Sequence, residues 1–116
     1  MLETIKGCIR AAGCVCYDTA EKIDVCKSPY VVCYDHGVEV LPRTKGMLGS
    51  QVYEVVCLTP FDDVKSLPVM ADTVKRALKT LDAQGLRLSS SSGTGIEETF
   101  KARAVSLSYA LPVRLF

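Results

Sequence analysis

Apolar residues along the chain follow two rhythms. Leu2, Ile5, Ile9 and Ala12 recur at three- and four-residue steps, with Glu3, Lys6 and Arg10 between them. That spacing predicts a short amphipathic helix with its charged residues turned outward. Gly13 is placed to end it in a left-handed conformation. Gly7 lowers its helix propensity by about 1 kcal/mol relative to alanine and leaves room for close packing against a strand. The same rhythm returns more strongly at Leu67, Met70, Val74, Leu78 and Leu81, opposite Asp72, Lys75, Arg76 and Lys79. Ser66 is the expected N-cap, Pro68 fits the first turn, and Gly85 is the expected stop.

Between and after these helices the pattern is that of strands. Cys14–Tyr17 is short. Tyr30–Tyr34 opens after Pro29, where a missing N–H is least costly. Asp35-His36-Gly37 reads as a turn, with Val38–Leu41 continuing the pairing. Residues 42–50 hold Pro42, Gly46 and Gly49 and read as a loop. Gln51–Leu58 is rich in β-branched and aromatic residues and apolar on both faces, as in a strand covered on two sides. Thr59-Pro60-Phe61-Asp62-Asp63 reads as its break. Leu86–Leu88 begins another strand, Ser89–Gly95 reads as a hairpin tip, and Glu98–Ala110 as a long strand. On that last strand Lys101, Arg103, Val105, Leu107 and Tyr109 share one face, basic at one end and apolar at the other. The order α-β-β-β-α-β-β gives an α+β fold, a mainly antiparallel sheet of about five strands with two helices packed on it, in one domain over residues 1–116.

Composition narrows the function. Apolar residues make up 48% of the 116, enough for a core. The net charge of +1 gives no global attraction to nucleic acid or to an anionic membrane. No apolar run approaches the roughly 20 residues that span a bilayer. Met1–Lys6 lacks the basic cluster and apolar core of a secretory leader, so synthesis and residence in the cytoplasm are expected. The six cysteines, Cys8, Cys14, Cys16, Cys26, Cys33 and Cys57, are then expected as free thiols, several buried as small hydrophobes. Only Cys14-x-Cys16 is closely spaced, and no second pair or histidine set completes a zinc pattern.

Other chemistry-bearing residues have plainer readings. His36 alone in a turn fits an exposed histidine better than a catalytic base, since Cys33 lies too far along an extended chain to bond to it. Asp62-Asp63 fits support of the following helix start. Gly93-x-Gly95 is followed by a strand and not by the helix a phosphate cradle needs. Arg43, Lys45, Lys101 and Arg103 read as solvated surface or, in an assembly that multiplies charge, as a lumen or DNA-facing patch.

The short first helix, Ser28-Pro29-Tyr30-Val31-Val32 opening a strand, Val52-Tyr53-Glu54-Val55-Val56-Cys57-Leu58 leading into a helix over Leu67–Leu81, a polar hairpin, and the long strand Phe100–Leu111 together resemble the small tail-completion or tail-terminator proteins of siphophages and prophages. The resemblance covers nearly the whole chain and rests mainly on element order. It implies a structural subunit, without catalysis or cofactor, that closes into a ring with copies of itself, in the family a hexamer. The ring caps the tail tube and joins it to the head connector, so the tail-tube protein, the connector protein and passing DNA are the implied partners. Residence is implied in the host cytoplasm and then the virion, with no membrane contact. Val52 and Val56 on the two-sided strand and Leu115 and Phe116 at the apolar end are the expected subunit contacts. Two other readings stand beside this one: a ferredoxin-like binding module, and a cysteine-dependent enzyme or metal-thiolate protein.

Overall fold

The first helical pattern forms α1 over Leu2–Ala11. The structure, a computed structural model, describes residues 1–18, 28–40, 48–97 and 102–114. Ile5 and Ile9 are fully buried. Gly13 (φ 92°) follows the helix in the left-handed region, and the Cys14 N–H returns to the Ile9 carbonyl at 3.3 Å. Two expectations for α1 are corrected. Nothing lies within 4 Å of where a Gly7 side chain would begin, so Gly7 permits no close packing. Lys6 is not outward: it is 3% exposed, its stem covered and its ammonium 2.7 Å from Glu3 Oε1. A lysine at the rim of an apolar stripe buries its methylenes and carries its charge to an exposed partner.

The second helix, α2, spans Ser66–Lys79 and buries Leu67, Met70, Ala71, Val74 and Leu78. A 3-10 turn over Thr80–Gln84 adds buried Leu81, and Gly85 (φ 96°) ends it. Ser66 lies inside the first turn and not at the N-cap, which is Lys65. The cap oxygen is supplied from upstream: the Ser66 N–H donates to Asp63 Oδ1 at 3.1 Å. Part of the Asp62-Asp63 pair thus supports the helix start.

Six strands form one sheet: β1 (Cys16–Asp18), β2 (Tyr30–Val40), β3 (Leu48–Pro60), β4 (Arg87–Ser91), β5 (Gly95–Glu97) and β6 (Ala102–Arg114). The order is β1-β2-β3-β6-β4, with β5 also on β6. Only β1–β2 is parallel. The α+β class and element order are as expected, with six strands in place of about five. The break expected over Thr59–Asp63 begins after Pro60, the last residue of β3, which still pairs with Ala102.

Two turns expected from sequence are not turns. Asp35-His36-Gly37 is a β-bulge inside one continuous β2: Asp35 faces Tyr53, Gly37 faces Val52, and His36 is the extra residue. Gly37 has φ 81°, and its N–H donates to Asp35 Oδ1 at 2.8 Å. A bulge asks for the same positive-φ glycine and short acceptor as a tight turn, so the two look alike in sequence. Ser89–Gly95 is likewise not a hairpin tip. Ser89–Ser91 lies in β4 and Gly95 opens β5, and both run along the same side of β6. Ser92 bridges the gap, its N–H donating to the Ser106 carbonyl and its Oγ accepting from the Ser106 N–H, each at 2.9 Å.

The helices cover one sheet face. Ile5, Ile9, Leu67, Val74, Leu78 and Leu81 pack there on Val31, Cys33, Tyr53, Val55, Cys57, Val105, Leu107 and Tyr109. A smaller cluster of Tyr30, Val32, Leu58 and Ala102 occupies the opposite face. At about 3.3 Å per residue, the 13-residue β3 and β6 each reach about 43 Å, nearly the molecule's 47 Å length. The 14-residue α2 reaches only about 21 Å. The sheet therefore outruns the helix layer.

Candidate assembly surfaces and thiol cluster

Alternation along β3 sends Tyr53, Val55 and Cys57 toward the helices and Val52, Glu54, Val56 and Leu58 the other way. Val56 is half-buried and packs with Tyr17, Tyr34 and Ala104 around the second-face cluster. Val52, opposite Ala110 in the neighbouring strand, is also half-buried. Both residues expected as subunit contacts thus sit on the sheet face away from the helices. Leu115 and Phe116 lie outside the described residues, as do Arg43, Lys45 and Lys101. Arg103 is placed: its Nε donates to the Phe61 carbonyl at 2.8 Å, tying β6 to the segment after β3.

The same face carries an aromatic and polar strip. Tyr17 meets Tyr30 edge-on at 5.4 Å between ring centres. Tyr34 stacks on His36 at 6.1 Å. His36 Nε2 lies 2.9 Å from Glu54 Oε1, and the Ser106 hydroxyl donates to Glu54 Oε2. Burial pushes the Glu54 carboxyl up, but the hydrogen bonds from Ser106 and His36 and the charge of His36 outweigh it and hold the pKa below the usual glutamate range. The carboxylate stands between the histidine and the hydroxyl, so His36 does not touch Ser106 as a general base must touch its nucleophile. The sequence does not reveal this trio: Glu54 pairs across the strands with Tyr34, and it is the bulge, indistinguishable from a turn in sequence, that brings the His36 side chain to it.

The sheet has two unlike edges. On one, β1 pairs only with Val31–Cys33 of β2. Residues Asp35–Val40 have β3 on one side and, among the described residues, no strand on the other. This length is about 20 Å of backbone. The other edge is built from β4 and β5. Large apolar side chains stand exposed at both: Val38 (46%) at the first, Leu88 (43%) and Ile96 (65%) at the second.

Among the described residues, Cys16, Cys33 and Cys57 belong to the main core with Ile5 and Ile9 of α1, and Cys8 and Cys14 pack against it. The five described ones are free thiols. Cys16 Sγ and Cys33 Sγ lie 3.6 Å apart, a thiol contact and not the roughly 2.05 Å of a disulfide. The hydrogen bond with Cys16 and then burial drive the Cys33 thiol far up, only partly offset by the Lys6 charge. Burial pushes Cys57 up to about 12. Such thiols stay protonated and unreactive at neutral pH. No group of three metal-ligating side chains converges among the described residues, and no described helix is long and apolar enough to cross a membrane. Against known proteins, no family model matches the chain and no curated sequence is significantly similar to it.

Proposed function

We propose that the chain is a structural subunit that assembles edge to edge with copies of itself into a ring, in the manner of a phage tail-terminator protein, and has no catalytic role. One observation carries this reading: among the described residues the sheet has two unlike edges, each with a stretch of strand that no neighbouring strand covers and an exposed apolar side chain. Free strand edges are templates for another chain and are costly to leave open unless they have a partner. Contact between like edges gives a twofold dimer, whereas contact between unlike edges is head-to-tail and closes into a ring when the rotation fits. The Asp35–Val40 edge of one copy would meet the β4/β5 edge of the next. Val52 and Val56 lie on the sheet face such a ring turns toward neighbours or toward its tube, and Arg103 on the strand beside β5. The resemblance in element order adds the setting: a hexamer between the tail tube and the connector, around passing DNA, assembled in the host cytoplasm and retained in the virion.

Sedimentation velocity across a concentration series, alone and with purified tail-tube rings, tests the proposal. A closed oligomer in either condition, dissociated by Val38→Lys or Ile96→Lys, is the expected result. A protein that stays monomeric in both conditions overturns it, as does an oligomer that neither edge substitution disturbs.

A further inference from the structure

A cleft of about 290 Å³ opens where the end of α2 meets β4 and β6, lined by Lys75, Lys79, Asp82, Arg87, Leu88 and Tyr109. Its chemistry is one-sided. Three cations face it and one carboxylate, and that carboxylate is already engaged: Arg87 Nη1 lies 3.4 Å from Asp82 Oδ1 and donates to the Asp82 carbonyl at 2.6 Å. Arg87 is thereby held in place. Lys75 and Lys79, one turn apart on α2, make no ion pair or hydrogen bond with any described residue. Both stand in the last turns of α2, where the helix dipole favours cations, and neither lies within ion-pair distance of a described carboxylate.

Tyr109 supplies the second observation. The residue is 3% exposed, yet its hydroxyl makes no hydrogen bond among the described residues and is not sealed from solvent, because the cleft reaches it. A buried phenol normally finds a partner. Burial, with smaller contributions from Cys57 and Asp82, pushes its pKa up to about 12, so at neutral pH it remains a donor. Leu88 and the Tyr109 ring give the cleft an apolar wall beside its donors.

We propose that this cleft is a binding site for a small phosphomonoester, with Lys75, Lys79 and Arg87 around the phosphate, Tyr109 donating from the floor, and Leu88 against the apolar part of the ligand. A dianion with three acceptor oxygens matches several converging donors better than a carboxylate does. The volume lies at the lower end of small-molecule sites, which favours a compact ligand over a polymer. The cleft shares β4 with one of the assembly edges, through Arg87 and Leu88.

Titration of the full chain with phenyl phosphate at low salt, followed by amide NMR shifts, tests this. Saturable shifts confined to the ends of α2, β4 and β6 are expected. Tyr109→Phe, which keeps the ring, should weaken binding at least about tenfold, as loss of a hydrogen bond to a charged group does. Lys75→Gln with Lys79→Gln should remove saturation while the remaining spectrum stays in place. Inorganic phosphate should bind more weakly than phenyl phosphate. Absence of saturable shifts, unchanged affinity in both variants, or equal affinity for inorganic phosphate overturns the assignment. So does a thymidine oligonucleotide that displaces phenyl phosphate from the same residues at lower concentration, which would make the surface a nucleic-acid contact.

Discussion

Leu78 measures how much of the fold depends on the seam between α2 and the sheet. It is fully buried, in one cluster with Ile5, Leu81 and Leu107. Leu78→Ala removes three carbons, a transfer loss of about 2.4 kcal/mol at about 0.8 kcal/mol each. Space the neighbours fail to fill adds about 24 cal/mol per Å³. Together these give about 3–4 kcal/mol. A chain of this length is expected to have about 6–17 kcal/mol in all, so the variant should still fold, with its melting midpoint lowered by about 10–15 °C. Val69 on the same helix is the internal control: it is 67% exposed, so Val69→Ala should change stability by less than about 0.5 kcal/mol. Urea unfolding followed by circular dichroism, with the slope checked for constancy, separates the two. A loss below about 1 kcal/mol for Leu78→Ala, or equal losses at both positions, would refute the packing described here.

Three further outcomes follow from the structure. Gly7→Ala should stabilise the protein by about 0.5–1 kcal/mol, because the added methyl meets open space and the helix loses a flexible residue; thermal melting reads it directly. Glu54 has a folded pKa below its unfolded value of about 4.3. Its stabilisation is therefore fully present above that pH and lost as pH falls through the lower folded value. Glu54→Gln should flatten the acid limb of a stability–pH profile, by less than about 1 kcal/mol because the group is a third exposed. Alkylation of the native protein at neutral pH, mapped by mass spectrometry, should modify Cys8 and Cys14 before Cys16, Cys33 and Cys57, the order following burial.

Both helices and the central strands were legible because periodicity reports burial directly. Leu67, Met70, Val74 and Leu78 all lie where their spacing put them. What failed was local and had one physical cause. The residues that reverse a chain also serve to bulge or interrupt it, so Asp35–Gly37 and Ser89–Gly95 were read as turns although β2 runs on through one and β6 pairs with both sides of the other. Lys6 was misread because charge predicts exposure of an ammonium and not of the four carbons beneath it. The phosphate-type cleft was beyond reach for a different reason. Its residues come from α2, the 3-10 turn, β4 and β6, and nothing in the spacing of Lys75, Arg87 and Tyr109 says that they meet. The two free edges likewise depend on which strand neighbours which, and a single sequence records strands without recording their neighbours.

The position of β6 has a consequence for how the molecule comes into being. It is the last of the described strands, yet it lies in the interior of the sheet, between β3 and the β4/β5 pair. Until it emerges from the ribosome, β4 and β5 have nothing to pair with, and β3 lacks its partner along all thirteen positions. Contacts so distant in sequence make for slow closure, and during that delay a nascent chain offers the Val52–Leu58 ribbon to any other strand in reach. Ribosome-bound fragments ending before residue 102 should therefore resist native folding and require chaperone protection, whereas a few residues of β6 should trigger collapse of the whole sheet.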